Sequence, residues 1–152
     1  MTDQKETGGR TDLPQLLLDG QMCFPLYAAA RKVVSLYTPV LKPLDLTYTQ
    51  YIALLAIWEM GEATVGDLGR RLYLDCGTLT PMLKKMEEHG WISRKRSQAD
   101  ERVVQLSVTE AGWALREQVK EIPMTVGKCI QMPPQEALEL YKLLHRLLDG
   151  ME

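Results

Sequence analysis

Cys23, Tyr27 and Tyr37 are the residues whose types and spacing best suit chemistry. A cysteine reacts as its thiolate, and thiolate is the form that attacks a peroxide. Cys23 stands two residues before Pro25. If Pro25 takes the first position of a helical segment, Cys23 lies just outside the positive end of the helix dipole, which favours the thiolate. Tyr27 follows four residues later and Tyr37 ten beyond that, nearly three helical turns, so both phenols can project from one face as hydrogen-bond donors. The competing reading makes Cys23 a buried core thiol between Met22 and Phe24, with two tyrosines unrelated to it. The other thiols, Cys76 and Cys129, bring the total to three, an odd and widely spaced set without a disulfide framework or a C-x-x-C metal spacing. Two histidines, His89 and His145, have no clustered ligands, so neither metal nor cofactor is expected. The eight methionines suit core and interface filler.

A second group of residues suits a polyanion. The 152-residue chain carries a net charge of −2, which excludes indiscriminate coating of nucleic acid or membrane through global charge. From Leu68 to Arg102, however, eight basic residues face five acidic ones, and the remainder is −5. One locally basic element on an acidic body suits site-specific DNA binding. Thr78 and Thr80 offer short hydrogen-bonding side chains, Lys84 and Lys85 follow one turn later, and Arg94, Lys95, Arg96, Asp100 and Arg102 load the next segment. The blander reading makes Arg94, Lys95 and Arg96 a solvated strand face and Asp75 merely a cap.

The pattern of the chain predicts mainly α structure with a small β-hairpin. Residues 1–12 are polar and glycine-containing, a disordered tail. Leu13 to Leu41 repeats apolar residues at helical spacing, interrupted at Pro25 and closed by Pro39 and Pro43. Thr47 and Gln50 form a capping-box pair before the apolar run Tyr48 to Trp58, which Gly61 ends. Thr64 with Asp67, then Asp75, start two short helices around Leu72 to Asp75, a helix-turn-helix. After Gly90 the period alternates, and Trp91–Arg96 and Val103–Val108 flank a polar turn as a hairpin does. Thr109 caps a further helix that bends or stops at Pro123 and continues through Val126 and Cys129, and Pro133 and Pro134 open a last one bearing Leu138, Tyr141, Leu144, Leu147 and Leu148. A helix entering the major groove beside a basic hairpin is a winged helix-turn-helix arrangement. The apolar face of the last helix predicts a homodimer.

These residues also carry a resemblance. Leu74-Asp75-Cys76-Gly77-Thr78-Leu79-Thr80-Pro81-Met82-Leu83-Lys84-Lys85-Met86-Glu87, with Arg94-Lys95-Arg96 and Asp100-Glu101-Arg102, resembles the DNA-binding core of the MarR family. Gln21-Met22-Cys23-Phe24-Pro25-Leu26-Tyr27 resembles its organic-hydroperoxide-sensing branch, the OhrR group. The resemblance spans roughly Leu13 to Leu148. It implies one MarR-like winged-helix domain over 13–152, with a DNA-binding core at about 47–109. The N- and C-terminal helices would interlock in a dimer, and each subunit would face half of a palindromic double-stranded operator. It further implies that Arg102 enters the minor groove, oriented by Asp100, and that Tyr27 and Tyr37 reach the partner's reactive sulfur and hold it as thiolate. Cys129 lies near where two-cysteine members carry a second thiol, which condenses with the sulfenate on the first. In single-cysteine members a small cellular thiol does this instead, and Cys129 would then be a bystander. Cys76 departs from the family, which more often has serine there. Its thiol is either inert or, beside a helix N-terminus, a second oxidisable site.

The function implied is a cytoplasmic repressor, not an enzyme, that releases DNA when an organic hydroperoxide oxidises Cys23. A repressor answering a small aromatic ligand, or another oxidant such as hypochlorite, is the alternative. A thiol peroxidase would be expected on alternating strands and helices, which this pattern lacks. No apolar run approaches a membrane span, and the first twenty residues lack a basic region leading into an apolar stretch.

Overall fold

A computed structural model describes residues 13–151. The expected tail at 1–12 and the final Glu152 lie outside the described residues. The described chain divides into two units, the first ending at Ser35 and the second beginning at Leu36.

The described residues of the first unit start with two 3-10 turns, Pro14–Leu16 and Leu18–Gly20, followed by helix α1, Cys23–Leu41, which ends in the second unit. The expected helix from Leu13 therefore starts ten residues late. Leu16, Leu17 and Leu18 are exposed, so burial adds nothing to hold a helix that Pro14 and Gly20 already punctuate. Pro25 interrupts nothing, because it sits in the first turn of α1, where its missing N–H has no partner to lose. Pro39 lies inside the last turn instead of closing the helix before it.

The second unit is built on caps that the sequence states locally. Thr47 and Gln50 bond reciprocally, Gln50 N–H to Thr47 Oγ1 at 3.2 Å and Thr47 N–H to Gln50 Oε1 at 2.9 Å, and open α2, Tyr48–Met60. Thr64 and Asp67 repeat this device at α3, Val65–Leu72, and Asp75 accepts the Thr78 N–H at 2.9 Å to start α4, Cys76–Glu88. The turn between α3 and α4 is tight. A Cβ on Gly69 would stand 2.9 Å from the Leu74 carbonyl oxygen, so only glycine lets the two helices cross so closely.

Gly90, at φ 78°, then swings the chain into β2, Ile92–Arg96, which pairs antiparallel with β3, Val104–Val108. A two-residue strand β1, Ala63–Thr64, joins the other edge of β3, giving the order β1-β3-β2. Helices α5, Glu110–Val119, α6, Ile122–Gly127, and α7, Pro134–Asp149, follow. Cys129 lies beyond α6 and not within a continued helix. All buried side chains among the described residues fall between Leu41 and Val126, and α7 buries none. Leu54, Ile57, Leu68, Leu79, Leu83, Met86, Ile92 and Leu106 centre this core, so α2, α3, α4 and the sheet share one apolar interior.

Candidate nucleic-acid interface and redox site

The N-terminal turn of α4 leaves Thr78 and Thr80 exposed. Asp75 accepts the Thr78 N–H and, at 3.0 Å, the Thr78 hydroxyl, and Thr80 Oγ1 donates to the Cys76 carbonyl at 2.8 Å. Both threonine oxygens keep lone pairs for an incoming donor, while their protons are spent inside the helix. The Thr78 donors hold the Asp75 carboxyl below its ordinary range. Lys84 and Lys85 are exposed further along α4, Lys84 with its Nζ 4.0 Å from Glu88.

On the hairpin the basic residues divide by role. Arg94 is turned inward: its Nε and Nη2 donate to Glu87 Oε2 at 2.9 and 2.8 Å, and its N–H donates to Glu87 Oε1 at 2.9 Å. These donors hold the Glu87 carboxyl below its usual value and tie the hairpin to α4. Arg96 donates to the Glu101 carbonyl at 2.9 Å across the hairpin end, and Lys95 is exposed. At the tip, Arg102 donates from Nε to Asp100 Oδ1 at 3.1 Å and from Nη2 to Oδ2 at 3.2 Å, and its side chain is 90% exposed. Asp100 also accepts the Arg102 N–H, and these bonds depress its carboxyl. The fork-on-fork pair aims a guanidinium outward from a loop.

Cys23 is exposed in the first turn of α1 rather than just outside it, at the positive end of the helix dipole. Tyr27, one turn on, is exposed, and its hydroxyl accepts from Arg31 Nη1 at 3.0 Å. Tyr37 packs in the second unit, its ring 4.8 Å from Tyr48 and 5.7 Å from Tyr51. Sequence reading missed Tyr48 and Tyr51, because they come from α2 and meet Tyr37 only through space. Burial pushes the Tyr51 phenol up to about 12 and raises Tyr48 as well, so both stay protonated donors. Cys76 is exposed at the start of α4, and Cys129 is exposed with its Sγ 3.6 Å from the Thr125 carbonyl. No group of three or more metal-ligating side chains occurs among the described residues.

A helix-turn-helix with a capped second helix, followed by a basic hairpin, defines a winged-helix transcriptional regulator. Residues 35–122 match the family model described as transcriptional regulator SarA/Rot. The chain is 46% identical over 134 residues to the organic hydroperoxide resistance transcriptional regulator of Bacillus subtilis, covering 88% of this chain and 91% of that protein. Among solved structures, reduced AbfR bound to DNA shares 35% identity and a TM-score of 0.75, covering 91% of this chain and 96% of that one; AbfR is a protein of Staphylococcus epidermidis. A mutant MarR from E. coli complexed with operator DNA shares 27% identity and a TM-score of 0.71, covering 81% and 90%. The chain belongs to the MarR family, and within it to the organic hydroperoxide resistance regulators.

Proposed function

We propose that this protein is a cytoplasmic homodimeric repressor that loses its palindromic operator when an organic hydroperoxide oxidises Cys23. The observation that carries the reading is Cys23 itself, exposed in the first turn of α1 of a chain nearly half identical to an organic hydroperoxide resistance regulator. Residues 13–152 act as one winged-helix domain whose reading core is about 47–109. Thr78, Thr80, Lys84 and Lys85 meet the major groove and its flanking phosphates, Lys95 and Arg96 meet phosphates, and Arg102 enters the minor groove held by Asp100. Arg94 braces the wing on α4. Leu138, Leu140, Tyr141 and Leu143 of α7 are exposed, and a second copy would cover them.

Tyr27 and Tyr37 donate to the Cys23 sulfur of the partner subunit. The thiolate attacks the outer peroxide oxygen, the O–O bond breaks, and an alcohol leaves as Cys23 becomes a sulfenic acid. The thiol of the partner subunit's Cys129 then forms the S–S bond and releases water. This is a single stoichiometric event, not turnover.

The test is non-reducing denaturing electrophoresis with operator binding measured before and after cumene hydroperoxide. The treated protein should run as a dimer and leave DNA, while Cys129→Ser should stay monomeric on the gel and accumulate sulfenate. A covalent dimer surviving Cys129→Ser points to Cys76, and DNA release without a crosslink points to the single-cysteine mechanism. Retention of DNA after oxidation of Cys23 overturns the reading.

A further inference from the structure

A hollow of about 500 Å³ lies between the recognition helix and the wing, lined by Gly66 and Arg70 from α3, Cys76 and Thr80 from α4, and Arg102 and Val103 from the wing. When a helix occupies the major groove and a wing tip the neighbouring minor groove, a single sugar-phosphate strand separates them. That strand has to cross this hollow. We infer that Arg70 is the cation that seats its phosphate, a DNA contact on α3 additional to those of α4 and the wing; the inference rests on the DNA reading above.

Arg70 is built for this in the same way as Arg102. Its side chain is 77% exposed, yet Nη2 donates to Asp67 Oδ1. Asp67 is itself locked, accepting the Thr64 N–H at 3.0 Å and the Thr64 hydroxyl at 2.6 Å. A guanidinium has five donors in a rigid fork, so one bond to Asp67 orients Arg70 while leaving others for a phosphate. Val65 and Gly66, at the start of α3, line the same hollow, and helix N-termini add N–H donors and a positive field. Arg71, its neighbour, does not line the hollow and instead donates from Nη2 to Glu59 on α2 at 3.1 Å. Two adjacent arginines of equal charge thus have different directions, which supplies the control.

The experiment uses full-length protein and a duplex selected by it from a randomised DNA library, with affinity measured by fluorescence anisotropy across a series of salt concentrations. Arg70→Ala and Arg70→Gln should each weaken binding roughly tenfold and flatten the dependence of log K on log salt by about 0.9 for each contact removed. Ethylation interference should lose one phosphate per half-site, lying between the major-groove and minor-groove contacts. Arg71→Ala, with the same loss of charge, should leave that phosphate in place and move the slope less. Equal effects at the two arginines, or an unchanged slope and ethylation pattern for both Arg70 variants, overturn the inference while the DNA reading stands. If the parent selects no duplex, the DNA reading itself falls.

Discussion

Between Leu41 and Val126 the chain buries its own core and ties several polar side chains to near neighbours: Arg94 to Glu87, Arg102 to Asp100, Thr78 to Asp75. On either side of that span Leu16, Met22, Phe24, Leu138 and Tyr141 remain exposed, and Cys23 and Cys129 are exposed with them. The proposed reading surface is complete in one chain, because each group that aims it is local. The proposed sensor draws on segments whose apolar faces one chain leaves uncovered, so it needs a second copy to be assembled. In that reading, oxidation would act on the proposed interface and leave the proposed base-reading side chains unmodified.

Cys23→Ser should separate the two regions most completely. The variant should bind the selected duplex as the parent does and lose its response to cumene hydroperoxide altogether. Anisotropy before and after oxidant checks both, and a variant still released by peroxide would place the sensor elsewhere or favour a ligand mechanism. Next comes the wing. Arg102→Ala should cost about 1–3 kcal/mol of operator binding while oxidation of Cys23 proceeds at the parent rate. Undiminished affinity would remove the wing tip from recognition.

A smaller effect is expected at Tyr37→Phe. The phenyl ring keeps its packing on Tyr48 and Tyr51, so fold and DNA affinity should hold, but a donor to the proposed thiolate is lost. At a net worth of about 1 kcal/mol for one hydrogen bond, peroxide should react roughly fivefold more slowly at neutral pH. Stopped-flow rates against pH test this, and a profile superimposable on the parent's would show the phenol idle.

How much of this could be read in advance follows the same division. The caps at Thr47, Thr64 and Asp75 are legible because four residues of sequence contain the whole interaction, and the helix-turn-helix follows from them; the hairpin is legible from the alternating period after Gly90. The pairing of Arg102 with Asp100 is likewise local. Strand β1 was not legible, since two residues become a strand only through Leu106 and Gln105, some forty positions away. Arg94 looked like another wing cation because its partner Glu87 lies across the Gly90 corner. Tyr48 and Tyr51 belong in the sequence to the apolar run of α2 and meet Tyr37 only in space, and α1 starts later than its leucine spacing predicts because spacing alone does not supply a surface to pack on.

The smallest test concerns the turn that aims the recognition helix. Tyr73 follows α3 at φ 55°, ψ 40°, a left-handed position where glycine is the usual residue, and the residue is 60% exposed. Its N–H donates to the Arg70 carbonyl at 3.4 Å and the Leu74 N–H to the Gly69 carbonyl at 3.0 Å, so the backbone bonds that end the helix do not depend on the ring. A non-glycine residue there costs about 1–2 kcal/mol in strain, partly offset because glycine loses about 0.5–1 kcal/mol more entropy on folding. Tyr73→Gly should therefore stabilise the reading core by about 0.5–1 kcal/mol, roughly 1–4 °C in melting temperature for a chain of this length. Cys23 chemistry should not change, because the substitution alters no residue of the proposed sensor. A lower melting temperature would mean that the exposed ring makes contacts worth more than the strain it carries, and a Tyr73→Gly protein of parental stability but weaker DNA binding would give the phenol a place in the interface beside Arg70.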